Sequence, residues 1–283
     1  MKRFIYIIML AAFTACANDN DQMIDVSTVK MTFTISGDFQ LTTHDFTRAL
    51  TADGKDMTDV WVLDYVNGEL KQQMHQSSGD ADFGQPTLNL AIGEHHIYFV
   101  ASRGTSPTLD TDAHTLIFAS VRDTFWKDYA LNISNGTTSG SRNVTLDRLV
   151  TKLKVTFSDA IPSGAATFNI TPEAWHYGID YTTGEPISAT PSQAITVNIP
   201  SSIIGVAGES VSIFGFSSAT EWQTDITLNC KTNDNTILGS ATISNAPFIR
   251  NRVSEYTGPL FGDNGYTTLS LNTEWSTTHT GTW

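Results

Sequence analysis

The chain has 283 residues, of which 29 are acidic and 16 basic, giving a formal net charge of -13. Such a surface repels nucleic acid and anionic lipid, and no cluster of Lys and Arg interrupts it, so nucleic-acid binding is set aside as a reading. Two cysteines, Cys16 and Cys230, exclude a disulfide-dense scaffold, and the length suits two domains or one large all-β unit.

Met1–Ala15 reads as a secretory signal peptide: Lys2 and Arg3 make a positive start, Phe4–Phe13 an apolar stretch and Thr14-Ala15 a small-residue exit. About ten apolar residues fall short of the roughly 20 that a membrane-spanning helix needs. Phe13-Thr14-Ala15-Cys16 resembles a bacterial lipobox, with Phe13 where that pattern prefers Leu. In a lipobox the cysteine thiol is acylated and the cysteine becomes the new N-terminus; the alternative is that Cys16 ends an ordinary signal peptide. Residues 16–28 then form a tether, and Ala17-Asn18-Asp19-Asn20-Asp21 resembles the surface-export signal of outer-membrane lipoproteins. This implies a lipid-anchored protein facing outward from the outer membrane. With Cys16 lipidated, Cys230 has no thiol partner; sharing phase with Ile226 and Leu228, it is expected to be a small buried hydrophobe.

Beyond the tether no apolar pattern of helical period lasts three turns, and short alternations recur instead. Val29, Met31, Phe33 and Ile35 alternate with Lys30, Thr32 and Thr34, and Leu149, Thr151, Leu153, Val155 and Phe157 alternate with Lys152, Lys154 and Thr156. Period two marks a strand with one buried face. Val60–Tyr65, His95–Ser102, Leu116–Ser120, Ala194–Ile199, Val211–Phe216, Asp225–Cys230 and Thr267–Asn272 read as further strands, separated by turn signals such as Asn67-Gly68, Asn135-Gly136 and Thr183-Gly184. One segment, Asp123–Leu131, places Phe125, Trp126, Tyr129 and Ala130 as a helical stripe would, and a strand fits it nearly as well. The pattern predicts an all-β chain of two tandem β-sandwich domains, of transthyretin-like or Greek-key type, over 29–147 and 148–283. The halves share no repeat at the level of sequence.

The search for chemistry returns little. The seven histidines follow no zinc spacing, and His95 and His96, adjacent on a strand, would face opposite sides and could not grip one metal. Asp110-Thr111-Asp112 and Asp53-Gly54-Lys55-Asp56 do not approach a calcium loop and read as turn carboxylates. No Gly-x-Ser-x-Gly nucleophile and no Gly-rich phosphate loop occurs. No catalytic residue, metal or cofactor is therefore expected. Six tryptophans raise a glycan-binding surface as a rival: Trp61 belongs in a core, whereas Trp175 and Trp222, near turns, are candidates for exposure.

The whole order resembles the fimbrillin family of Bacteroidales, the lipoprotein subunits of type V pili, including the fimbrial anchor branch. The likeness is carried by Cys16 with its acidic tether, Phe46-Thr47-Arg48-Ala49, Met57–Tyr65, Leu149–Val155, Asn251-Arg252-Val253 and Gly258-Pro259-Leu260-Phe261-Gly262, and a final strand ending at Trp275. The resemblance implies two β-sandwich domains and assembly with other fimbrial subunits by strand exchange, serving adhesion to a host or bacterial surface ligand. A protease cuts after an arginine near the N-terminus, the first strand leaves with its lipid, and the C-terminal strand of another subunit fills the groove. Here Arg48 is the candidate cut, Val29, Met31, Phe33 and Ile35 the displaced strand, and Leu269, Leu271 and Trp275 the donor. Two alternatives remain: Arg48 stays uncut in an anchor that keeps its lipid, and the C-terminal segment simply caps the second sandwich.

Overall fold

The computed structural model describes residues 28–37, 57–103, 107–191, 193–262 and 270–271. In the first half the chain forms β1 (Val29–Gly37), β2 (Asp59–Val66), β3 (Glu69–Ser77), β4 (Thr87–Leu90), β5 (Gly93–Ser102), β6 (Thr108–Asp110), β7 (Thr115–Ile117), β8 (Thr124–Ile133) and β9 (Gly140–Arg148). Seven of these join in the order β3-β2-β5-β8-β9-β1-β4. The sheet turns a corner where β8 meets β9 only at Phe125/Arg148 and Trp126/Asp147. Beyond that corner β9, β1 and β4 lie against β2, β5 and β8. Met31, Phe33, Leu88, Leu90, Val144 and Leu146 from one side share a core with Val60, Val62, Ile97, Phe99 and Phe125 from the other. Asn67-Gly68, with φ of 53° and 80°, makes the tight β2–β3 turn that the right-handed strand twist favours.

The second half forms β10 (Val150–Phe157), β11 (Thr167–Pro172), β12 (Ala174–Trp175), β13 (Gly178–Asp180), β14 (Glu185–Pro186), β15 (Thr190–Pro191), β16 (Ile195–Asn198), β17 (Ser210–Phe216), β18 (Trp222–Lys231), β19 (Ile237–Phe248), β20 (Val253–Gly258) and β21 (Ser270–Leu271). Its two facing sheets run β17-β10-β20-β21 and β16-β11-β18-β19 around a core that includes Leu153, Phe157, Phe168, Trp175, Leu228 and Phe248.

The halves repeat one topology. In each, the first strand lies between an antiparallel neighbour and a parallel one, β4 and β9 beside β1, β17 and β20 beside β10. The opposing sheets correspond as well, β3-β2-β5-β8 to β16-β11-β18-β19, all antiparallel. Each half also carries an insertion, β6–β7 between β5 and β8 and β12–β15 between β11 and β16. These insertions meet: β7 pairs with β13, so one small sheet, β14-β13-β7-β6, contains strands of both halves.

A third core cluster fills the junction, with Trp61, Leu63, Tyr65, Tyr98 and Val100 from β2 and β5 packed on Phe118, Val150, Ile179, Tyr181 and Phe216. That is why Val60–Leu63 is a continuous apolar run: alternate residues face two different cores. The same geometry explains Asp123–Leu131, which is strand β8. Phe125 and Tyr129 face the first sandwich while Trp126 faces the junction, so residues on opposite faces of a strand imitate a helical stripe. The predicted Leu116–Ser120 strand stops at Ile117, and Phe118 enters the junction from a loop. Strand β3 escapes the apolar-alternation test because its inward positions include Gln72 and Gln76.

Gly215 of β17 passes over the fully buried Trp175, and a Cβ there would lie 2.4 Å from the indole ring. Gly215→Ala is expected to destabilise the protein by about 2 kcal/mol through overpacking. Urea denaturation measures this, with Gly262→Ala, where a Cβ meets nothing within 4 Å, as the silent control.

Candidate functional site

The four residues of the candidate displaced strand lie on one face of β1. Met31 and Phe33 are completely buried, Ile35 is 7% exposed and Val29 is half-buried. Phe33 sits at the centre, its ring 5.3 Å from that of Phe99 and 5.7 Å from that of Tyr129. β1 pairs with β4 from Val29/Leu90 to Thr32/Thr87 and continues along the preceding chain, where Phe33 N–H donates to Pro86 C=O and Ile35 N–H to Gly84 C=O, each 2.9 Å. On its other side Met31–Gly37 pairs in parallel with Gly140–Leu146 of β9. Taking β1 away would thus open a lane between two backbones and empty a row of apolar pockets.

The chain next to that lane differs between the halves. β1 ends at Gly37 and β2 starts at Asp59, whereas β10 ends at Phe157 and β11 starts already at Thr167, with Ile161 buried in between. The long first link contains Arg48. Arg48, Cys16, Leu269 and Trp275 lie outside the described residues. Of the candidate donor, the backbone of Ser270 and Leu271 is described, opposite Thr257 and Tyr256 on the side of β20 away from β10. This is a cis contact with the chain's own second sandwich.

Among the described residues β4 has one strand neighbour, β1, yet its other side is not bare. Gln72 of β3 donates Nε2–H to Asn89 C=O (2.6 Å) and accepts from Asn89 N–H (3.3 Å). Gln76 does the same one step earlier, to Asp82 C=O (2.9 Å) and from Gly84 N–H (3.2 Å). His95 Nε2 lies 2.9 Å from Ala91 C=O, and its Nδ1 is 2.6 Å from the buried carboxylate of Asp64. The sequence pattern considers His95 only as a metal ligand and does not single out Gln72 or Gln76, whose one local signal is a polar residue at an inward position of a strand.

Elsewhere the chemistry is structural. His95 is buried and His96 exposed, on opposite faces of β5, as their adjacency requires. Among the described residues no group of three or more His, Cys, Asp or Glu gathers in a way that would hold a metal. Asp110 accepts hydrogen bonds from the backbone of Asp112 and Ala113, the behaviour of a turn carboxylate. Cys230 is buried beside β11, and burial pushes its thiol up to about 11, away from reactivity. Trp61 is in the core, stacked on His75. Trp175, expected as a candidate for exposure, is wholly buried, packed edge-on against Phe248 and donating its indole N–H to Phe214 C=O. Trp222 is half-buried in the same cluster, so these two rings do not form an open platform. A cleft of about 430 Å³ does open where residues 119–122 approach β16 and β17, with Tyr177, Phe214, Arg122 and Asn198 among its walls.

No protein-family model matches the chain, and no curated protein matches it by sequence. Solved structures do match by shape. A candidate polysaccharide-binding protein from Bacteroides thetaiotaomicron covers 87% of this chain and 96% of its own at 9% identity, with a TM-score of 0.55. A candidate adhesin from Bacteroides ovatus covers 92% and 99% at 12% identity, TM-score 0.51. The tip fimbrial protein of Porphyromonas gingivalis, solved with a C-terminal truncation, aligns more loosely, over 81% and 94% at 13% identity and a TM-score of 0.41. The first two establish a shared fold.

Proposed function

We propose that the chain is a non-enzymatic cell-surface lipoprotein, a fimbrial subunit or pilus anchor that assembles by β-strand exchange and serves adhesion. The observation that carries this reading is the placement of β1. It lies between β9 and β4, it fills the core with Met31, Phe33 and Ile35, and it is joined to the rest by a long link containing Arg48. Its counterpart β10 has a short, packed connection to β11. A cut after Arg48 would leave β1 held by non-covalent contacts alone, and its loss would expose unpaired backbone on β4 and β9 that another extended strand can satisfy. The incoming strand would be the C-terminal segment of another copy, with Leu269, Leu271 and Trp275 as the pocket-filling side chains. If the link stays whole, lipid on Cys16 holds the chain in the outer membrane, and the same molecule is an anchor.

The test is Arg48→Ala expressed in a pilus-forming host, with N-terminal sequencing of the wild-type and variant products. The polymerising subunit is expected to start at Ala49 in the pilus fraction, and the variant to stay membrane-bound and absent from pili. Wild-type protein that retains an acylated Cys16 at the base of pili assigns the anchor role; wild type found in no pilus fraction sinks the proposal. A second reading, a glycan-binding surface lipoprotein, is favoured by the cleft beside Tyr177 and Phe214 and by the fold shared with a candidate polysaccharide-binding protein. Polysaccharide binding by the monomer, lost on Tyr177→Ala, would select it.

A further inference from the structure

β1 has two neighbours, and they are supported unequally. β9 meets β8 only at Asp147 and Arg148, past the part that pairs with β1. On the other side, Gln76, Gln72 and His95 tie down the backbone at Asp82, Gly84, Asn89 and Ala91, the same stretch that pairs with Val29–Ile35. Each glutamine both donates to and accepts from the backbone, so its amide takes the place of a neighbouring strand. Gln72 and Gln76 lie on the inward face of β3 with Met74 between them, and Met74 packs on the core that β1 completes. His95 is locked in turn by Asp64, whose Oδ2 also receives Gln72 Nε2–H at 3.3 Å. None of these side-chain bonds involves β1.

From this we infer that residues 82–91 are a prearranged landing lane for an incoming β-strand of a second copy, held in register by Gln72, Gln76 and His95 whether or not β1 is present. The inference rests on the strand-exchange reading and extends it. β4 acts as the fixed template and β9 as the wall that yields. A strand entering this lane runs antiparallel to β4, meets Gly84, Pro86, Leu88 and Leu90, and must offer apolar side chains at alternate positions to refill the Met31, Phe33 and Ile35 pockets. Prearrangement lowers the ordering cost of association, so its removal should slow binding.

The test uses the full chain with a sequence-specific protease site inserted after Arg48, cut after folding and mixed with a fluorescently tagged peptide of sequence Val29–Gly37. Wild type is expected to exchange its own β1 for the peptide, and Gln72→Leu combined with Gln76→Leu to slow association on the order of tenfold, about fivefold being the worth of one lost hydrogen bond. Gln73→Leu, on the exposed face, is the control. A slowing of less than threefold in the double variant overturns the inference and leaves strand exchange standing. No exchange in wild type overturns strand exchange and this inference together. If the double variant does not fold, Gln72→Asn, which keeps the amide but shortens its reach, is judged by the same threefold criterion.

Discussion

Phe33→Ala is expected to lower stability by about 3–5 kcal/mol, the range for emptying a buried aromatic site. Phe33 is completely buried between two sheets and contacts Phe99 and Tyr129, which sit on β5 and β8 of the opposing sheet and cannot easily close the gap. Lys30 and Thr34, on the other face of β1, point outward to solvent and add nothing to this core. The measurement is the urea midpoint followed by near-ultraviolet circular dichroism, with Lys30→Ala expected within about 0.5 kcal/mol of wild type. A Phe33→Ala loss below about 1 kcal/mol would mean that β1 is not the keystone of the first sandwich. A peptide carrying the same change should also fail to replace β1 in the cut protein, because the pocket and the plug are one interaction.

Arg148→Ala is expected to separate the two halves. Arg148 is the last residue of β9, and its guanidinium forks onto Asp123 (Nε to Oδ1 2.7 Å, Nη2 to Oδ2 3.1 Å) while Nη1 reaches Asn251 Oδ1 of the second half at 3.2 Å. It also lies 4.7 Å from the centre of the Phe125 ring. The side chain is 3% exposed and Asp123 is 16% exposed, so removing the cation leaves a largely desolvated carboxylate without its main partner. A loss of about 3 kcal/mol follows. Arg148→Lys keeps the charge but not the fork and should recover less than half of it. Calorimetry supplies the sharper readout: wild type should melt in one transition because the junction core and the β7–β13 pair couple the halves, and Arg148→Ala should melt in two. A single, unshifted transition in the variant would show that the apolar junction alone provides the coupling.

Much of the candidate site was legible in sequence. Met31, Phe33 and Ile35 announce themselves by strict alternation with polar residues, and the structure buries all three. Cys230 and Trp61 followed the same reasoning into their cores. Trp175 did not: turn residues near it suggested exposure, but β12 folds its ring inward beneath Gly215, where the absent Cβ makes room. Gln72 and Gln76 were invisible because a glutamine directed at a backbone looks, in sequence, like a glutamine directed at water.

By itself the sequence determined that the chain is built of strands, and it located β1, β2, β5, β10, β16, β17 and β18, because side-chain alternation is a local consequence of strand geometry. Only the tertiary structure decided which strands are neighbours. Backbone hydrogen bonds carry no residue code, so the shared topology of the halves, the parallel β1–β9 and β10–β20 pairs and the joining of two insertions through β7 and β13 leave no repeat in the letters. The same holds for β1: its alternation predicted a buried strand, while its position between a braced β4 and a weakly supported β9 emerged from packing across a distance the local pattern does not encode.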